Sequence, residues 1–128
     1  SRWNIAADGA GGLSVWDWER FDLELPRGHD VVHYSGFPVL WKAYRTGREP
    51  LELDRTVGPA LDKAGLPTAL HRPTIDLYLA TMVARYVSDA AMDEEDVSQP
   101  IREFFLRLLL ARLAHSDSAT TVRRGVAP

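Results

Sequence analysis

The stretch Trp3-Asn4-Ile5-Ala6-Ala7-Asp8-Gly9-Ala10-Gly11-Gly12-Leu13-Ser14-Val15-Trp16-Asp17-Trp18 decides how the fold is read from the sequence. Two short apolar runs flank a glycine-rich turn that contains Asp8-Gly9, the usual signal of a β-hairpin. Everything downstream has helical periodicity. Pro26 and Gly28 punctuate the segment 19–50, and a helix is expected from near Arg27, broken or kinked near Pro38. Asp54 or Thr56 caps a short helix that ends near Gly65 and is stopped by Pro67. A longer helix opens at Arg72 or Thr74. Its residues Ile75, Leu79, Met82, Val83, Tyr86 and Val87 recur at steps of three and four, which makes one apolar stripe.

After the acidic run Asp93-Glu94-Glu95-Asp96, Ser98 sits just before Pro100 as a cap and first turn. Ile101, Phe104, Phe105, Leu108, Leu109 and Leu113 then form an amphipathic helix. The expected class is therefore α+β, mostly α: a β-hairpin followed by a bundle of four or five helices. Residues 1–115 read as one partial domain. Residues 116–128, rich in Ser and Thr and containing Arg123-Arg124-Gly125, read as a flexible tail.

Composition bounds the function. The 128 residues suit one domain, and 45% apolar with 26% charged residues is ordinary for a globular chain. Fifteen basic against 18 acidic residues give a net charge of −3, which argues against a nucleic-acid or anionic-membrane partner. The most apolar stretch, 104–114, is interrupted by Arg107 and Arg112 and is too short for a membrane span. The absence of cysteine excludes disulfides, thiolate metal sites and a cysteine nucleophile, and it fits a cytoplasmic location.

The hairpin segment also carries the candidate chemistry. Asn4 starts the first strand and Asp17 ends the second. An amide oxygen and a carboxylate at the same end of a hairpin can converge on one cation, and such hard oxygen donors suit Mg²⁺. The plain alternative is that both residues cap backbone groups at turn and strand ends. Elsewhere, His29-x₃-His33 lacks a third ligand nearby in sequence, and the acidic run lacks the alternating ligands and mid-loop glycine of a calcium loop. Asp30 reads as a helix cap.

Asn4, the glycine-rich turn, Val15-Trp16-Asp17-Trp18-Glu19-Arg20, Pro26-x-Gly28-x-Asp30 and His33-Tyr34 together resemble the aminoglycoside phosphotransferase and choline-kinase-like family. The resemblance covers residues 3 to about 34, with a looser echo from Tyr78-Leu79 to Arg85-Tyr86. It implies the C-terminal lobe of a protein-kinase-like fold, with Asn4 and Asp17 as magnesium ligands at the nucleotide phosphates. It also implies Asp30 as a structural acid at the next helix start, whereas Glu19 matches the motif without an assigned role. The family's catalytic Asp would lie five residues before Asn4, upstream of Ser1, together with the nucleotide loop and the strand lysine.

The implied function is thus the C-terminal fragment of an ATP-dependent (or GTP-dependent) small-molecule O-phosphotransferase, inactive by itself. Its substrate would be a small-molecule hydroxyl. The alternative is a non-catalytic helical interaction module derived from such a kinase. In that reading the helix from Ile101 to Leu113 is a binding surface, and apolar exposure drives self-association through Phe104 and Leu108.

Overall fold

The computed structural model of the chain describes residues 5–7, 9, 13–15, 25–91 and 98–124; for 5–7, 13–15 and 116–124 it describes the backbone alone. The elements are β1 (Ile5–Ala7), β2 (Leu13–Val15), α1 (His29–Thr46), α2 (Leu53–Lys63), a 3₁₀ turn (Thr68–Leu70), α3 (His71–Ala90) and α4 (Gln99–Arg124). No helix among the described residues is long and apolar enough to cross a membrane.

The architecture corrects the expected class. It is helical, not α+β, and the expectation of a kinase-like C-terminal lobe falls with it. Among the described residues the strands amount to one three-residue pair, antiparallel, with Ile5 opposite Val15 and Ala7 opposite Leu13. A two-stranded ladder that short cannot sustain a layer on its own. Every core residue among those described comes from a helix or from Leu66 in the turn after α2. The Asp-Gly signal concerned only local backbone; the class follows from where the large apolar side chains sit, and those sit at helical spacing.

Each helix supplies one stripe to the core. On α1 the buried positions are His29, Val32, Gly36, Leu40 and Ala43, and on α2 they are Leu53, Val57 and Leu61. On α3 they are Ile75, Tyr78, Leu79 and Met82. Helix α4 contributes Phe105 at 1% exposure, with Ile101, Phe104, Leu108 and Leu109 packed at the margin. One position departs from the stripe read in the sequence, since Val87 is exposed; Trp41 is exposed as well, and Tyr78 is completely buried.

Helix α1 is continuous through Pro38, so of the break or kink expected there the break is not observed. Proline has no N–H to donate and removes one rung of the helical ladder. Its ring faces solvent, however, and buried residues on both sides of it hold the helix against α2 and α3. Gly36 sits at the α1–α2 crossing, where an added Cβ would lie 3.0 Å from Val57 and 3.1 Å from Leu53. Gly28 precedes α1 with φ of 93°, and a Cβ there would meet Leu61 and Thr74 at 3.2 Å. Both the backbone angle and the space therefore require glycine at that helix entry.

The remaining boundaries are close to those expected. Helix α3 starts at His71, just before the expected Arg72 or Thr74, because the 3₁₀ turn after Pro67 leads straight into it. Ser98 precedes α4, and its hydroxyl donates to the Tyr86 carbonyl on α3 at 3.3 Å. The tail expected over 116–128 falls where only the helical backbone to Arg124 is described, and the acidic run 93–96 lies outside the described residues.

Two substitutions test this packing by chemical denaturation. Phe105→Ala is expected to lower stability by about 3–5 kcal/mol, because a fully buried ring is lost from the one helix that has a single deep anchor. Pro38→Ala is expected to raise stability by about 1–3 kcal/mol, because it restores a helical N–H at an exposed site.

Candidate functional site

The residues singled out by sequence divide sharply. Asn4, Asp17 and Glu19 lie outside the described residues. Asp30 is in the first turn of α1 with its side chain 95% exposed, and its Oδ1 stands 3.9 Å from Nδ1 of His29. No side chain caps α1, whose N-cap is Gly28, so the capping role expected of Asp30 is not observed. Its charge still suits the positive end of the helix dipole.

His29 and His33 do share one side of α1, where both meet Tyr78 of α3. The His29 and Tyr78 rings are 5.0 Å apart, and Nδ1 of His33 is hydrogen-bonded to the Tyr78 hydroxyl at 3.0 Å. Burial, reinforced by His29 and by the Arg85 guanidinium, pushes the His33 imidazole down to about 4. Burial also raises the Tyr78 phenol above its ordinary range. The pair is therefore neutral near pH 7 and acts as a polar tie between α1 and α3. No group of three or more His, Asp or Glu side chains among the described residues is placed to hold a metal ion.

A second polar construction was not foreseen. Arg112 of α4 is only 13% exposed, and it is gripped from two helices. Its Nε donates to Asp76 of α3, and its two terminal nitrogens donate to Asp54 of α2 at 2.5 and 2.9 Å. Arg72 adds a donation to the Arg112 carbonyl and lies 3.7 Å from Asp76. Burial opposes the Arg112 charge, but the two carboxylates outweigh it and hold the guanidinium above its usual range. In return, the hydrogen bond from Arg112 holds the Asp54 carboxyl below the usual range. The one signal in the sequence was Arg112 itself. It continues the inward stripe of Phe105 and Leu108, and a cation at such a position demands a carboxylate.

This network forms one end of a surface cleft of about 870 Å³. One wall is α4 from Pro100 to His115; the other is the end of α1 and the turn through Arg48, Glu49, Pro50 and Leu51 into α2. The cleft follows α4 for about 22 Å at 1.5 Å per residue. Tyr44 and Phe104 meet in it edge to face, with centroids 5.6 Å apart. Phe104 and Leu108 are thus partly covered, and the exposed apolar stripe of α4 is instead Leu106, Leu110 and Leu113.

Two outcomes check these assignments. Arg112→Ala should lower stability by about 2–3 kcal/mol, since it strands the Asp76 carboxylate at 15% exposure, whereas Asp54→Ala should cost less because Asp54 is half open to water. Acid should act through His33. Its folded-state pKa lies below the unfolded value of 6.5, so only the unfolded chain takes up the proton between pH 6.5 and about 4. Stability is expected to fall as pH drops through that window, by roughly 1–2 kcal/mol after allowance for the ring's partial exposure. His33→Gln should flatten that slope in urea melts taken at stepped pH.

No family model, no curated protein and no solved structure matches this chain.

Proposed function

We propose that the chain is the C-terminal portion of an ATP-dependent small-molecule O-phosphotransferase of the aminoglycoside phosphotransferase and choline-kinase-like kind. The proposal rests on the motif, not on the fold. The observation that carries it is the spacing of Asn4 and Asp17-Trp18-Glu19 about the ladder in which Ile5 faces Val15. Those two paired residues are, in sequence, the neighbour of Asn4 and the residue two before Asp17.

An amide oxygen and a carboxylate are the hard donors that Mg²⁺ accepts while leaving other positions to phosphate and water. Asn4 and Asp17 would hold the ion, which when bound neutralises charge on the nucleotide phosphates. The substrate hydroxyl must lose its proton to a base. In this reading the base is the family's catalytic Asp, which the 128 residues do not contain. Positioning by that base and by a phosphate cradle supplies most of the rate in phosphoryl transfer. The chain by itself is therefore expected to bind MgATP weakly and to turn nothing over.

A second reading, a non-catalytic helical interaction module, is favoured by the exposed stripe Leu106, Leu110 and Leu113, whose exposures are 40, 57 and 45%. Titration of the purified chain with MgATP, followed by amide shifts in NMR, separates the two. Saturable shifts that vanish in Asp17→Ala support the phosphotransferase reading. No response to MgATP, joined to concentration-dependent association by light scattering that Leu106→Ser/Leu110→Ser abolishes, overturns it in favour of the module. Steady phosphate transfer by the 128 residues alone would refute the claim of inactivity.

A further inference from the structure

We propose that the cleft between the α1–α2 turn and α4 is a binding site for a small organic anion with an apolar or aromatic body. This inference is independent of the phosphotransferase reading, because it is argued wholly from described residues outside that motif.

The charges that line it are unequal in availability. Asp54 is engaged by Arg112, and Glu103 accepts a hydrogen bond from Gln99 at 2.8 Å. Arg112 is saturated by two carboxylates, and Arg72 is held between Asp76 and the Arg112 carbonyl. That leaves Arg48 on the turn and Arg107 on α4, one cation on each wall. Neither side chain has a hydrogen bond or ion pair among the described residues. Glu49, beside Arg48, is the one lining carboxylate in the same condition. The uncommitted charge is thus positive on balance, and it favours a singly charged anion over a polyanion.

The lining also has an apolar part, to which Tyr44, Phe104, Leu108 and Pro50 belong. The edge-to-face rings of Tyr44 and Phe104 offer a surface for another ring. The volume of about 870 Å³ is that of a small-molecule site. A planar guanidinium on each side presents paired donors to a carboxylate, sulfonate or phosphate group. Burying the apolar body supplies the affinity, and the arginines select the charge. The Arg112 clamp keeps the far end rigid, so the walls need no rearrangement to receive the ligand.

The test uses the 128-residue chain with 8-anilinonaphthalene-1-sulfonate as the anionic probe and N-phenyl-1-naphthylamine as its neutral counterpart. The expected result is saturable binding of one anionic probe per chain, with amide shifts at Gly47, Phe104 and Leu108. Arg48→Ala/Arg107→Ala should weaken the anionic probe about tenfold and leave the neutral one unchanged. Ala111→Trp, which places a ring in the cleft from an exposed lining position, should weaken both. The proposal is overturned if the double arginine variant binds the anion as the unaltered chain does. It is equally overturned if the shifts fall at Leu106 and Leu110 on the outer face of α4. Should Ala111→Trp lose its helical circular dichroism, the double variant decides, since both arginines are exposed and outside the core.

Discussion

The guanidinium of Arg112 sits nearly out of water between Asp54 and Asp76, and through it three helices are fixed to one another. Helix α4 needs that anchor. Among its described side chains it buries one completely, Phe105, while the other apolar contacts lie at the margin of the core. A helix held by one ring and a partly covered stripe would have freedom to slide along α3. The fork of Arg112, with one arm to α3 and two to the first turn of α2, allows one register. A buried ion pair contributes little net stability against a hydrophobic substitute, yet it penalises every arrangement that leaves the charges apart. Its consequence here is geometric, because the same register sets the distance between α4 and the α1–α2 turn and so opens the cleft.

The contact between α1 and α3 uses a neutral version of the same device. His33 and Tyr78 share a hydrogen bond between α1 and α3, and the His29 ring packs on Tyr78 beside it. Aromatic contacts continue outward along α1 from His33 to Phe37, Trp41 and Tyr44, and cross to Phe104 on α4. One run of rings therefore joins the polar pair at the start of α1 to the cleft at its end. Desolvation keeps His33 uncharged, which is why acid loosens this contact.

The two functional ideas draw on different parts of the chain. The phosphotransferase reading depends on a short motif whose ligand pair, Asn4 and Asp17, flanks the strand ladder. The cleft depends on residues from four helices that share no local pattern. Arg48 and Arg107 are 59 positions apart, and neither differs in sequence from an ordinary solvent-facing arginine. What distinguishes them is negative: of the three carboxylates that line the cleft, Asp54 and Glu103 are already taken by other donors, which leaves Glu49 alone against two arginines. That property belongs to the folded arrangement and to no window of sequence.

The sequence by itself determined the helices and most of their inward faces. The stripes on α3 and α4 follow from apolar residues at steps of three and four, and Gly65 with Pro67 marks the end of α2, since these are local consequences of backbone geometry. The break that Pro38 allowed does not occur, because a local rule about a missing N–H was outweighed by burial on either side of it. The sequence misjudged the class, because Asp-Gly between two apolar runs describes a turn and not which elements own the core. Tertiary structure alone decided that Tyr78 lies inside and Trp41 outside, that Phe104 and Leu108 are covered while Leu106 and Leu110 are not, and that Arg112 finds two carboxylates. Each of those outcomes depends on the partner across a helix interface, and partners 36 and 58 residues away are brought together by packing, not by spacing.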